Sequence, residues 1–215
     1  MNAKRYDSII WDWNGTLLDD VDLAVGVMNR MLAQRSYKPL SRERYVDVFD
    51  FPVRTYYSRV GIDLETHDFE ALSDEFCAAF EDRLKLATLF PDTRKVLQHH
   101  RSRGDRQFML SNTHADALVR MIDQYQLAEF FDTTVGASDN SATGKSELGK
   151  SLLCAHDIDP RAAVLVGDTL HDAEVAHNMG VDCILVATGH HAKHRLVGSG
   201  CPVLDGLDEL GALFA

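Results

Sequence analysis

The stretch Ser8-Ile9-Ile10-Trp11-Asp12-Trp13-Asn14-Gly15-Thr16-Leu17 sets the fold. A short, continuous, mostly apolar run at Ser8 to Trp11 predicts a strand covered on both faces, since a half-solvated strand would alternate. The run ends on a carboxylate followed by a glycine turn. Runs of the same kind recur at Gln107 to Leu110, Thr133 to Gly136, Ala162 to Val166 and Cys183 to Val186. Helical periodicity fills the intervals, over Thr93 to Arg101, Asp116 to Tyr125, Ser146 to His156 and Asp172 to Met179. Strands alternating with helices predict an α/β fold: a Rossmann-like, doubly wound parallel sheet.

One interval breaks the rhythm. Between the first strand and Pro91 there is no good strand run, only helical spacing such as Leu23-Val27-Met28-Met31-Leu32 and Phe69-Leu72-Phe76-Ala79-Phe80. Residues 20–89 are therefore expected to form an inserted α-helical cap over the end of the first strand, with 1–19 and 90–215 as the core. Pro39 and the Phe51-Pro52 step predict breaks within it. In that segment Phe49, Phe51, Tyr56 and Tyr57 are expected to pack as core.

The 215 residues carry 22 Lys plus Arg against 33 Asp plus Glu, a formal charge of −11, with 45% apolar and 26% charged residues. Such a length and apolar share can fill one core carrying an insertion. The acidic balance argues against nucleic acid and against an anionic membrane surface as partners. No apolar run approaches the ~20 residues that cross a bilayer. Asp12 interrupts the apolar start too early for a signal peptide. The cysteines at 77, 154, 183 and 201 form no Cys-x-x-Cys pair, so a reduced, cytoplasmic setting is expected.

Ligands of open parallel sheets bind beyond the carboxyl ends of the strands. The first run ends in Asp12 to Thr16, the second in Ser111-Asn112-Thr113, and the fourth in Gly167-Asp168-Thr169-Leu170-His171-Asp172, while Lys145 follows the third. Asp12, Asp168 and Asp172 would repel one another unless they held protons or a cation. Oxygen ligands completed by water and a phosphate suit Mg²⁺. Asp12 and Asn14, two apart in extended chain, should share a side. Lys145, Ser111, Asn112 and Thr16 are the candidates for holding a phosphoryl group.

This order of motifs, Asp12-x-Asn14-Gly15-Thr16-Leu17, Ser111, Lys145, then Gly167-Asp168-x-x-x-Asp172, resembles the haloacid dehalogenase superfamily. It is similar to the phosphoglycolate-phosphatase-like branch with a helical cap. The resemblance implies a phosphatase of a small phosphorylated metabolite, with Asp12 as nucleophile and an aspartyl-phosphate intermediate. It implies Mg²⁺ held by the Asp12 side chain, the Asn14 main-chain carbonyl and Asp168, with Asp172 in support and Ser111 and Lys145 on the phosphoryl group. The chain departs from that pattern at Asn14, where the branch carries an aspartate that protonates the leaving oxygen and activates water. An amide cannot move a proton near neutral pH. Asn14 thus admits a slow enzyme, one suited to good leaving groups such as acyl phosphates, or a non-catalytic phosphate-ligand binder. Trp13 also matches the phosphonoacetaldehyde-hydrolase-like branch, which needs a cap lysine; Lys38 and Lys85 are what the cap offers. Deamidation of Asn14-Gly15 would create the missing acid.

Other signals have plainer explanations. Gly144-Lys145-Ser146-Glu147-Leu148-Gly149-Lys150-Ser151 fits a phosphate-loop pattern, yet no strand leads into Gly144 and Glu147 would sit in the anion cradle. Gly189-His190-His191-Ala192-Lys193-His194 lacks the ligands of a structural zinc site and is expected to be a polar loop. His99-His100 should face water near a helix end. His114 and His171 flank the site. Asp172 alone would be a helix cap. Asp19 and Asp20 are expected at a hinge or cap, apart from the metal site. Arg54 is the cap residue expected to meet a second anionic group of the substrate.

Overall fold

The computed structural model describes residues 6–137 and 144–213. In chain order the first half comprises β1 (Ser8–Trp11), β2 (Leu18–Asp19), α1 (Val21–Gln34), α2 (Arg42–Val48), α3 (Val53–Arg59), α4 (Phe69–Leu84) and β3 (Thr88–Leu89). The second half comprises α5 (Thr93–Arg103), β4 (Arg106–His114), α6 (Ala115–Gln124), β5 (Thr133–Ala137), α7 (Lys145–Ala155), β6 (Ala163–Gly167), α8 (Leu170–Met179), β7 (Asp182–Val186), α9 (Lys193–Val197), β8 (Val203–Leu204) and α10 (Leu210–Leu213). The strands expected from sequence all form, and the order β5-β4-β1-β6-β7-β8 makes one six-stranded sheet. Every pairing in it is parallel.

β1 lies inside that sheet, in register with Arg106 to Met109 on one side and Ala163 to Val166 on the other. Its side chains alternate between two apolar layers. Ile9 and Trp11 join Leu97, Leu118 and Ile122 on the α5–α6 face. Ile10 joins Leu153, Val175 and Met179 on the α7–α8 face. Burial on both sides is why the strand is apolar throughout, and each such side chain contributes about 1.5–3 kcal/mol by leaving water. The residue that follows, Asp12, is thereby fixed at the carboxyl end of a rigid central strand.

The segment between β2 and β3 is helical and has its own apolar cluster, built on Val21, Met28, Leu32, Tyr45, Tyr57 and Leu72. Pro39 falls between α1 and α2, and Pro52 is the N-cap of α3. Sequence periodicity missed the two-residue strands that bracket this segment. Leu18 pairs with Leu89 and Asp19 with Thr88, antiparallel, so both chain crossings leave the core side by side. Thr93 Oγ1 donates to the Leu17 carbonyl at 2.9 Å and fastens this ribbon to α5.

Candidate active site

Three strand ends and one helix start converge. Asp12 follows β1, Ser111 lies where β4 bulges out of register before His114, Asp168 follows β6, and Lys145 opens α7. The turn after Asp12 is closed by the Trp13 carbonyl, which accepts from Leu17 N and Leu18 N at 3.0 Å. Gly15 sits at φ +73°, and a Cβ there would collide with the Asp168 carboxyl. The expected alternation holds: Asp12 and Asn14 line one cavity, while Trp13 is buried on the other side against Tyr125.

Lys145 is the pivot of the charges. Its Nζ donates to Asp12 Oδ1 at 2.5 Å and to Asp172 Oδ1 at 2.7 Å, and all three side chains are buried. Burial opposes its charge, but Asp12 and Asp172 override that and raise its pKa above the ordinary lysine range. Burial also works to raise Asp172, yet Lys145 and Thr169 hold it down at about 2. Asp172 additionally completes a capping box with Thr169 at the start of α8, so its capping and ion-pairing roles coexist. Asp12 is pushed up to about 6, chiefly by burial, with Lys145 pulling the other way. Burial raises Asp168 well above the carboxylate range.

Oxygens of Asp12, Asp168 and Asp172 lie within 4.8 Å of one another. Asp168 is held by Thr16 Oγ1 at 3.0 Å and by the His190 main-chain N at 2.6 Å. Thr16 also reaches Asp12 Oδ2 at 3.3 Å, and its side chain is wholly buried. Its hydroxyl therefore ties two carboxylates together beneath the cavity, a correction to the expectation that it faces a phosphoryl group. Ser111 Oγ accepts from Thr113 N at 3.1 Å, which leaves its proton available to an anion. Asn112 lines the cavity beside it.

Asn14 is fixed at both ends of its amide. Nδ2 donates to Asp20 Oδ2 at 2.8 Å, and Oδ1 accepts from Thr113 Oγ1 at 2.7 Å. Asp20 Oδ1 accepts from Gly15 N at 2.8 Å and lies 3.3 Å from His190 Nε2. Asp20 is thus part of the site, not only the N-terminal neighbour of α1. Deamidation at Asn14-Gly15 requires Gly15 N to attack the amide carbon, but that N–H is shared between Asp20 and the Leu18 carbonyl at 2.9 Å. The folded chain opposes the reaction.

His190 is the principal residue that sequence reasoning missed. It is buried, its Nδ1 is 2.8 Å from Tyr45 Oη, and burial is outweighed by Asp20, Asp168 and Asp12, which raise its pKa to about 9. His191 is buried too and its Nδ1 accepts from Leu170 N at 3.0 Å, so the expected polar loop is a packed one. The readable signal was Gly189, whose missing Cβ leaves room for Asp168 and for the Gly15 carbonyl oxygen. His100 likewise does not face water: it is buried on Trp11 and paired with Asp105 at 2.8 Å.

The cavity has a volume of about 280 Å³ and is roofed by the helical segment. Phe49, Phe51, Tyr56 and Tyr57 line it, so they form its wall as well as packing the segment. His114 and His171 line it as well, with the His171 ring 4.6 Å from that of Phe51. Arg54 does not; it is exposed with its guanidinium 5.1 Å from the Phe69 ring, turned away by the α3 helix. Lys38 and Lys85 are exposed and absent from the lining, which removes the lysine that a phosphonoacetaldehyde-hydrolase-like route needs. Lys150 lies within α7 paired to Glu147 on the surface, so 144–151 is a helix start and not a phosphate loop.

These features define the class of protein: a Rossmann-like α/β core whose strand ends gather carboxyl groups, a lysine and a serine beneath a helical roof. Sequence comparison narrows it. The chain belongs to the haloacid dehalogenase-like hydrolase family, whose profile matches residues 9–186. Among its relatives are a phosphoglycolate phosphatase of Caulobacter vibrioides, 28% identical over 191 residues (85% of this chain, 80% of that one), and another of Synechococcus elongatus, 25% identical over 195 residues (91% and 90%). A solved structure from Lactobacillus delbrueckii subsp. bulgaricus superposes with a TM-score of 0.83 at 17% identity, covering 98% of each chain. No helix among the described residues is long and apolar enough to cross a membrane.

Proposed function

We propose that the protein is a Mg²⁺-dependent phosphatase of a small phosphorylated metabolite, with Asp12 as its nucleophile. The observation that carries this is Lys145 bridging Asp12 and Asp172 beside Asp168, with the Ser111 hydroxyl at the same strand ends. The names of the relatives support the same reading.

The donor set fits a hard divalent cation. Asp12, Asp20, Asp168 and Asp172 face Lys145 and His190, so full ionisation leaves two negative charges, which one such ion neutralises. Asp12, the Asn14 carbonyl and Asp168 would hold it, with Asp172 behind. Bound there, Mg²⁺ would supply neutralisation of the phosphoryl oxygens. Asp12 then attacks phosphorus; the P–O bond to the alcohol breaks, leaving an acyl phosphate on Asp12 and an alkoxide. Water next attacks phosphorus, returning the carboxylate, and its protons pass to the alcohol and the departing phosphate. Ser111 and Lys145 orient the phosphoryl group throughout. Asn14 can position a leaving oxygen or water through its amide but gives it no proton.

Residues 20–89 serve as the lid that shuts out bulk water and selects the substrate. Four free cysteines suit a reducing cytoplasm. The test is turnover of acetyl phosphate and p-nitrophenyl phosphate with and without Mg²⁺, in wild type and Asp12→Asn. Mg²⁺-dependent turnover lost in the variant supports the proposal. Silence toward both would favour a non-catalytic binder, the reading that Asn14 alone suggests.

A further inference from the structure

We propose that the substrate is a phosphate monoester of an apolar, phenol-like alcohol, and not of a small acid such as glycolate; this rests on the phosphatase reading above. Two independent features point there, one in the lid and one at the catalytic turn.

The first is the wall facing the strand ends. Phe49, Phe51, Phe76, Phe80 and Leu84 make it mostly apolar, and Tyr56 adds its ring and an unpartnered hydroxyl. Among the described residues that line the cavity, the basic ones are Lys145, committed to Asp12 and Asp172, and three histidines. His190 is committed to Asp20 and Tyr45, His171 lies against Phe51 with its Nε2 buried and unpartnered, and His114 is exposed at the rim. No Lys or Arg reaches in from the lid. The segment 138–143, Ser-Asp-Asn-Ser-Ala-Thr, carries neither. The charged lid residues in the lining are Asp20, which is committed to Asn14, Gly15 and His190, and Glu81, which pairs with Arg120 at 3.0 Å on the surface. A leaving group with its own carboxylate would be desolvated against aromatic rings, with no Lys or Arg of the lid beside it. An aromatic ring would be stabilised by the same wall, and about 280 Å³ suits a single ring bearing a phosphate.

The second is Asn14. Its Nδ2 donates to Asp20 and its Oδ1 accepts from Thr113, so the position that faces the leaving oxygen has no proton to release. An alkoxide leaving without protonation is slow, whereas a phenoxide departs as the anion and collects its proton from water afterwards. The balance of the first step is then complete at the enzyme: the Asp12 oxygen gains phosphorus, and phenoxide takes the electron pair of the broken P–O bond.

The test measures kcat/KM, with Mg²⁺, on substituted phenyl phosphates, 2-phosphoglycolate and acetyl phosphate. Phenyl phosphate should exceed 2-phosphoglycolate by about 100-fold or more, because the lid offers the carboxylate no Lys or Arg. Within the phenyl series the rate should fall steeply as the leaving phenol becomes less acidic, and Asn14→Asp should flatten that slope. Phe76→Arg, which adds the absent cation, should move the phenyl-to-glycolate ratio by about tenfold toward glycolate. Equal or better use of 2-phosphoglycolate by a protein that turns over acetyl phosphate would overturn this inference and leave the phosphatase standing. A shallow slope in the wild type would also overturn it, and silence toward every compound would overturn both.

Discussion

Asn14 holds its amide between Asp20 and Thr113, so a side chain with no proton to transfer serves as a fixed strut. Replacing it with aspartate sets a second carboxyl group where the Nδ2 now lies 2.8 Å from Asp20. Two carboxyl groups that close share a proton, which is the state a general acid needs. Asn14→Asp should therefore raise kcat on alkyl phosphates by about 10²–10⁴-fold, read from steady-state kinetics with glycerol phosphate. An unchanged rate would mean that protonation of the leaving group does not limit turnover. Asn14 itself was legible, because a motif can be read at fixed spacing. Its partner was not. Asp20 stands before a helix, the commonest place for a capping aspartate, yet its carboxyl makes no cap and turns back to Asn14 and Gly15.

The loop between β7 and α9 shows the same limit at the scale of an element. Its histidines looked solvated because a polar run after a strand carries no periodicity to mark burial. Burial comes instead from non-local contacts: the Ala192 N–H donates to the Val46 carbonyl at 3.1 Å, Arg195 Nη1 to the Phe49 carbonyl at 2.6 Å, and His190 meets Tyr45. One loop thus joins the helical roof to Asp168. Gly189→Ala should disturb it at the root, since the added carbon would collide with the Asp168 carboxyl and the Gly15 carbonyl oxygen. A loss of about 1–3 kcal/mol in urea unfolding is expected, together with a weaker response to Mg²⁺. Strands were far more legible than this loop. An apolar run such as Ala163 to Gly167 is buried throughout, and a local pattern suffices to find it. Two-residue strands such as β2 and β3 carry too little pattern to be seen.

For the whole molecule, the divalent ion proposed above should stabilise a fold with several buried acids around one crevice. At 100 times Kd, Mg²⁺ should add about 2.7 kcal/mol to stability, seen as a rise in Tm that Asp168→Asn largely removes. A second global dependence comes from the opposite end of the sheet. Burial lowers the pKa of His100 below the ordinary histidine range, against the pull of Asp105. The unfolded chain then takes up the proton first. Stability is full above the ordinary histidine pKa and declines as pH falls through it, and His100→Gln should flatten that part of the urea-midpoint profile. The parallel architecture and the converging strand ends were legible because each rests on local runs and a general rule for open sheets. The character of the cavity was not, since it depends on which faces of α2, α3 and α4 meet the core.

A quenched single-turnover reaction with acetyl phosphate and Mg²⁺, followed by peptide mass analysis, addresses the nucleophile itself. With no carboxyl group at residue 14 to activate water, breakdown of the acyl phosphate should lag behind its formation. The phosphoryl group should then be found on the peptide containing Asp12 in near-stoichiometric amount, and it should be absent from Asp12→Asn. Hydrolysis that continues in Asp12→Asn, or a phosphoryl group carried by any other residue, would contradict the account.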